Sequence, residues 1–210
     1  MKITQKKLVI KENSTKTIFM NSLENRDIHI NKNSILSIMA ILKKGSKEPK
    51  NLNFYLADNS QLKFFVIILG TKNNSFVFTT TCHHIGKNSI ADCVIKSILS
   101  DESLVDYKGN IKIPTTGENT ISHLTHKSLM FSNKAHVNTL PSLEIEADSV
   151  KAGHSASIGR MDEEMLFYLQ SRGLSKKIAE KLLLQSFIEE DLDQFKDKDL
   201  LLLIKKQLTI

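Results

Sequence analysis

The sequence predicts a mainly β chain that ends in a short helical segment, and three observations carry that prediction. From the start to about residue 160, apolar and polar residues alternate with a period of two, the signature of half-buried strands. Within that stretch a polar pair recurs, Asn or Asp followed by Ser or Thr, at spacings of 20 to 31 residues. At Gly159-Arg160-Met161-Asp162-Glu163-Glu164 the texture changes, and apolar residues begin to recur at helical spacing.

The strand segments are short and rich in β-branched and aromatic residues: Leu8-Val9-Ile10, Ile28-His29-Ile30, Asn53-Phe54-Tyr55-Leu56, Phe76-Val77-Phe78 and Ser142-Leu143-Glu144-Ile145. The pairs between them are Asn13-Ser14, Asn33-Ser34, Asn59-Ser60, Asn88-Ser89 and Asn119-Thr120, with Asp148-Ser149 as a further copy. Asn tolerates a left-handed backbone and Ser bonds its own main chain, so each pair suits a turn. A unit of strand, turn and strand repeated at this length fits a β-solenoid or a stack of hairpins, and a sandwich of short strands would give a similar string. Leu42 to Asn51, containing Lys43-Lys44-Gly45-Ser46-Lys47-Glu48-Pro49, reads as the clearest exposed loop.

The helical segment has its own punctuation. Asp162 is placed to cap a first helix, with Glu163 and Glu164 in the turn where the helix dipole favours negative charge. Met165, Leu166 and Leu169 follow, and Gly173 is a natural stop. Ser175 caps a second helix with Ile178, Leu182 and Leu183 on one face, running to about Glu190. A third is expected from Asp191–Asp193 through Leu200-Leu201-Leu202-Leu203-Ile204-Lys205-Lys206. The division expected is therefore a β core over 1–160 and a helical segment over 161–210.

Composition removes several classes of function. Hydrophobic residues make up 40% and charged residues 25% of 210, ordinary for a globular protein. The longest apolar run, Phe64 to Leu69, is far short of a membrane span, and the N-terminus lacks a signal-peptide pattern, so a cytoplasmic location is expected. Cys82 and Cys93 are the two cysteines, too few for a disulfide scaffold or for four thiolates on zinc or an Fe–S cluster. The net charge of +6 comes from lysines spread along the chain, not from a basic stripe with aromatics, so no nucleic-acid partner is expected.

Three clusters could carry chemistry. In Cys82-His83-His84, Cys82 and His84 share one strand face, and two soft ligands two residues apart could hold half a metal site. The plainer reading is a small core cysteine beside solvated histidines. His123, His126 and His136 match no metal-ligand spacing and read as polar strand residues. Lys151-Ala152-Gly153-His154-Ser155-Ala156-Ser157-Ile158-Gly159 places one imidazole where strands give way to helices. No phosphate loop, nucleophile elbow or HExxH motif occurs, so an enzyme is not expected.

From Asp106 to Glu190 the chain resembles the C-terminal core of the SufB/SufD family of iron–sulfur assembly scaffolds. Tyr107-Lys108-Gly109-Asn110-Ile111-Lys112-Ile113 resembles one rung, and Ser128-Leu129-Met130-Phe131-Ser132 with Pro141-Ser142-Leu143-Glu144-Ile145 resembles another pair. Asp148 to Gly159 resembles the family block D-D-V-K-C-S-H-G-A-T-V-G, and Asp162 to Leu174 resembles D-x-x-Q-L-F-Y-L-R-S-R-G-I. The D-type pattern fits better than the B-type, because Leu129-Met130-Phe131 lacks the B-type cysteine and the His154 block reads G-H-S-A.

The resemblance implies a right-handed parallel β-helix, a heterodimer with SufB, and docking of the ATPase SufC on the C-terminal helices through Phe167, Arg172 and Phe187. The sequence does not decide between SufB and a second copy of the same chain as the partner, and the isolated chain could form a homodimer. His154 aligns with the family histidine at the SufB–SufD interface, which implies a transient Fe–S cluster or iron there, with no cofactor held by this chain alone. The family cysteine two residues earlier is Ala152 here, so that thiol is missing. The chain starts directly in strand texture, which predicts a short form without the N-terminal helical domain of longer members. A purely structural partner of SufB is the alternative.

Overall fold

The computed structural model describes residues 6–191. These residues divide between Ile158 and Gly159 into two units, each compact in itself. The first is a parallel β-helix of twelve strands: β1 Lys6–Ile10, β2 Thr15–Met20, β3 Arg26–Ile30, β4 Ile35–Leu42, β5 Ser46–Leu56, β6 Gln61–Gly70, β7 Ser75–His84, β8 Ile90–Leu99, β9 Leu104–Ile113, β10 Ile121–Met130, β11 His136–Ile145 and β12 Lys151–Arg160. Odd strands build sheet A in the order β1-β3-β5-β7-β9-β11, and even strands build sheet B from β2 to β12. Paired strands run parallel, so each coil contributes one strand to each sheet.

The recurring pairs explain the winding. Asn13, Asn33, Asn59, Asn88 and Asn119 all adopt a positive φ between 55° and 58°, where Asn costs less than other side chains. Their amides stack into a ladder along the axis. Asn33 Nδ2 donates to Asn13 Oδ1, Asn59 to Asn33, and Asn88 to Asn59, each at 3.1 Å. The following hydroxyl points inward and closes the corner: Ser60 Oγ donates to the Ala57 carbonyl at 2.7 Å and Ser89 Oγ to that of Gly86 at 3.1 Å. At the opposite corner the left-handed residues are Lys72 and Asp101 rather than Asn, so this corner escapes the sequence pattern. There the Asp101 carboxylate accepts from the Lys72 N–H at 2.7 Å instead. Asp148-Ser149, the sixth pair, is not among the positive-φ residues.

The core lies between the sheets. Ile28, Phe54, Cys82 and Ile111 form one inward column of sheet A, and Ile38, Phe64, Cys93 and Leu124 are buried on sheet B. Sheet B also buries outward-pointing residues, Met39, Phe65 and Val94 in one register and Ile41, Ile67 and Lys96 in the next. Apolar demand on both faces accounts for the unbroken run Phe64 to Leu69.

Leu42 to Asn51 is not the loop its composition suggests. Only residues 43–45 leave the sheets, and β5 begins at Ser46. The register of β5 against β7 shifts between Ser46 and Lys50, and this bulge takes up Pro49, which cannot donate to a regular ladder.

The second unit contains α1 Glu163–Ser171 and α2 Lys176–Glu189. The Asp162 side chain accepts from the Met165 N–H at 2.9 Å, and Ser175 caps α2 by accepting from Ile178. Gly173 ends the first helix with φ of 91°. The third helix expected from the sequence lies outside the described residues.

Candidate functional site

The coils stop at β11 and β12, which are the last strands of their sheets. Residues whose register points inward are therefore uncovered there. Leu143 pairs with buried Ile111 and Ile145 with buried Ile113, yet they are 37% and 39% exposed. On β12, Ser155 Oγ donates to Thr125 Oγ1 at 3.1 Å, which sets Ser155 beside Thr125. Alternation then puts His154 in the inward column, one coil beyond Leu124. His154 is exposed, and so is Ile158 in the same column. An imidazole thus sits in an apolar patch at the open end of the β-helix, between two strands that, among the described residues, close their sheets.

Cys82 and His84 do share a face, but it is the interior face. The Cys82 sulfur touches that of Cys93 at 3.6 Å. His84 is fully buried, not solvated: Nδ1 meets Ser89 Oγ at 2.8 Å and Nε2 meets Ser122 Oγ at 2.9 Å. With both ring nitrogens engaged by hydroxyls, His84 has no lone pair left for a metal. Among the described residues no group of three or more His, Cys, Asp or Glu side chains is placed to hold a metal ion.

His126 is likewise interior. Nε2 lies 2.8 Å from Ser97 Oγ and 3.0 Å from Ser128 Oγ, while Nδ1 has no hydrogen-bond partner and the ring meets Tyr107 edge-on at 5.3 Å. The sequence signal for both buried histidines was present in the phase of the strand alternation, since each lies two residues from an inward neighbour. His123 and His136 are exposed, as polar strand residues should be. Outside, His29, Tyr55 and His83 stack along sheet A with ring separations of 4.6 and 4.7 Å, a ladder that no motif announces.

Burial pushes the pKa of both His84 and His126 down to about 4, with the neighbouring His83 adding to the shift at His84. A depressed imidazole pKa means that the unfolded chain binds protons the folded one refuses. Stability is then held above about pH 6.5 and falls by roughly 3 kcal/mol per histidine as the pH drops towards 4. The urea midpoint is expected to decline steadily between pH 6.5 and 4.5, and His84→Gln should flatten part of that decline. A midpoint independent of pH over this window would contradict the buried neutral imidazoles.

In the helical unit, α1 has no buried residue. Phe167 is 73% exposed, and the Arg172 guanidinium lies 5.2 Å from the ring centroid of exposed Tyr168. Ile178 and Leu182 of α2 are also exposed, whereas Phe187 is half-buried. No helix among the described residues is long and apolar enough to cross a membrane.

Residues 8–187 match the family described as SUF system FeS cluster assembly, SufBD core domain. The chain is 31% identical over 143 residues to the iron–sulfur cluster assembly protein SufD of Escherichia coli strain K12, covering 68% of this chain and 34% of that protein. It is 29% identical over 150 residues to SufD of Bacillus subtilis strain 168, covering 71% and 34%. Against SufB of the same Bacillus strain it is 33% identical over 106 residues, covering 50% and 23%. The chain therefore spans about a third of the length of the SufD relatives it matches.

Proposed function

Because this chain belongs to the SUF SufBD core domain family, we propose that it serves iron–sulfur cluster assembly as a non-catalytic, SufD-like scaffold subunit. The observation that carries the reading is the open end of the β-helix. A SufB-type β-helix laid against β11 and β12 would continue both sheets through their free main-chain groups and cover Leu143, Ile145 and Ile158.

His154 stands in that seam as one neutral imidazole, a donor that suits iron but cannot complete a site alone. Ala152 offers no thiol beside it. In this proposal the nascent cluster, or its iron, is the cargo, and the remaining ligands come from the partner. His154→Ala should leave the complex intact and lower cluster assembly in cells at least tenfold. Normal assembly with an intact complex would instead favour a partner that only stabilises SufB.

The helical unit supplies a second contact. Phe167, Tyr168, Met165, Ile178 and Leu182 leave apolar surface in water on two short capped helices, with Arg172 beside them. This surface fits a role in docking SufC, with Phe167 and Arg172 at the contact and Phe187 supporting it from α2. Deleting residues 162–210 should abolish SufC capture in a pulldown while SufB is retained; undiminished SufC capture would refute the docking role.

A further inference from the structure

We propose that Cys82 and Cys93 form a reversible oxidative modification site, a dithiol that closes into a disulfide joining the two sheets inside one coil. Cys82 lies on β7 of sheet A and Cys93 on β8 of sheet B, the consecutive strands of a single coil. Both are free thiols, buried to 1% exposure, and their sulfurs stand 3.6 Å apart. That is sulfur–sulfur contact, and bond formation needs an approach of about 1.5 Å to reach the ~2.05 Å of a disulfide.

The surroundings select this product. Cys82 is flanked in register by Phe54 and Ile111, and Cys93 by Phe64 and Leu124. These apolar walls give an oxidised sulfur one nucleophile to meet, the opposite cysteine. The Cys93 thiol is pushed well up by its hydrogen bond to Cys82 and by burial, so Cys93 holds its proton until the second step.

The oxidant is a peroxide small enough to enter the coil. The Cys82 sulfur attacks one peroxide oxygen as its S–H proton leaves; the O–O bond breaks, leaving a sulfenic acid on Cys82 and hydroxide, which takes that proton to become water. The Cys93 sulfur then attacks Cys82, the S–O bond breaks, and the leaving hydroxide departs as water with the Cys93 proton. Two electrons pass from the two sulfurs to the peroxide, and two waters form.

The test uses the folded full chain with hydrogen peroxide, then denaturation, maleimide alkylation and intact mass. The expected product has lost two hydrogens, carries no adduct, and regains two alkylatable thiols with dithiothreitol. Because the sequence holds no other cysteine, a monomeric product of that mass can only be the 82–93 disulfide. The bridge closes a short loop across 11 positions, so the oxidised form should melt several degrees higher. Cys82→Ser should instead give no loss of two hydrogens. Two alkylatable thiols after peroxide, addition of two oxygens to one sulfur, or a disulfide-linked dimer would each overturn the proposal.

Discussion

Tyr107→Ala is expected to lower the free energy of unfolding by about 3–5 kcal/mol, a large share of the roughly 5–15 kcal/mol that holds an average domain folded. Tyr107 is fully buried in β9, where its ring packs on Phe78 at 4.7 Å and its hydroxyl meets Thr80 Oγ1 at 2.6 Å. Truncation leaves a cavity, unpairs the buried Thr80 hydroxyl and removes the ring against which the half-satisfied His126 rests. A coil touches only its neighbours, so a cavity here uncouples the coils on either side. Tyr107→Phe keeps the ring and strands one hydroxyl, for a cost of about 1–2 kcal/mol. Urea unfolding of the two variants checks both size and order; equal effects would mean that the hydroxyl, not the volume, dominates.

The second large effect concerns association. Replacing Leu143 and Ile158 together by Asp should weaken capture of a SufB-type partner by a factor of 100 or more. Each Asp would have to be desolvated in the seam without a counter-charge. Both positions already meet water in the free chain, at 37% and 46% exposure. Its own urea midpoint should therefore move by less than about 1 kcal/mol in equivalent free energy. Titration of the variant against the partner decides the matter, and retained affinity would remove the open end from consideration as the pairing surface.

The sequence made some of this legible and hid the rest for identifiable reasons. The Asn-Ser pairs announced the corners because only a few residues accept a left-handed backbone, and five of them take it. The corner at Lys72 and Asp101 stayed hidden because its left-handed residue is Lys in one coil and Asp in the next, so no single pair recurs there. Asp162, Gly173 and Ser175 punctuated the helices as their chemistry requires. Leu42 to Asn51 misled, since lysines, Gly and Pro suit a bulged edge as well as a loop.

Single histidines were the hardest to read. Period-two alternation tells which face a side chain takes, but an imidazole is acceptable on either. His84 and His126 lie inside because hydroxyls meet them there: Ser89 and Ser128 from nearby in the chain, and Ser122 and Ser97 from the neighbouring coils. The Ser122 and Ser97 contacts are set by register between coils, which local sequence does not encode. His154 drew attention through a family block, and its inward-facing place at the open end follows from the Ser155–Thr125 contact between coils.

The asparagine ladder also has a bearing on how such a chain can change length over descent. Its successive steps span 20, 26 and 29 residues, and the hydroxyls of the next step, Ser89 and Thr120, are 31 apart. The amides nevertheless keep the same 3.1 Å contacts. One corner thus serves as a fixed datum from which every coil is counted, and the variation falls on the strands and the opposite corner. Insertions and deletions can accumulate on that far side without disturbing the winding, whereas a single residue gained at the asparagine corner would put every following coil out of step.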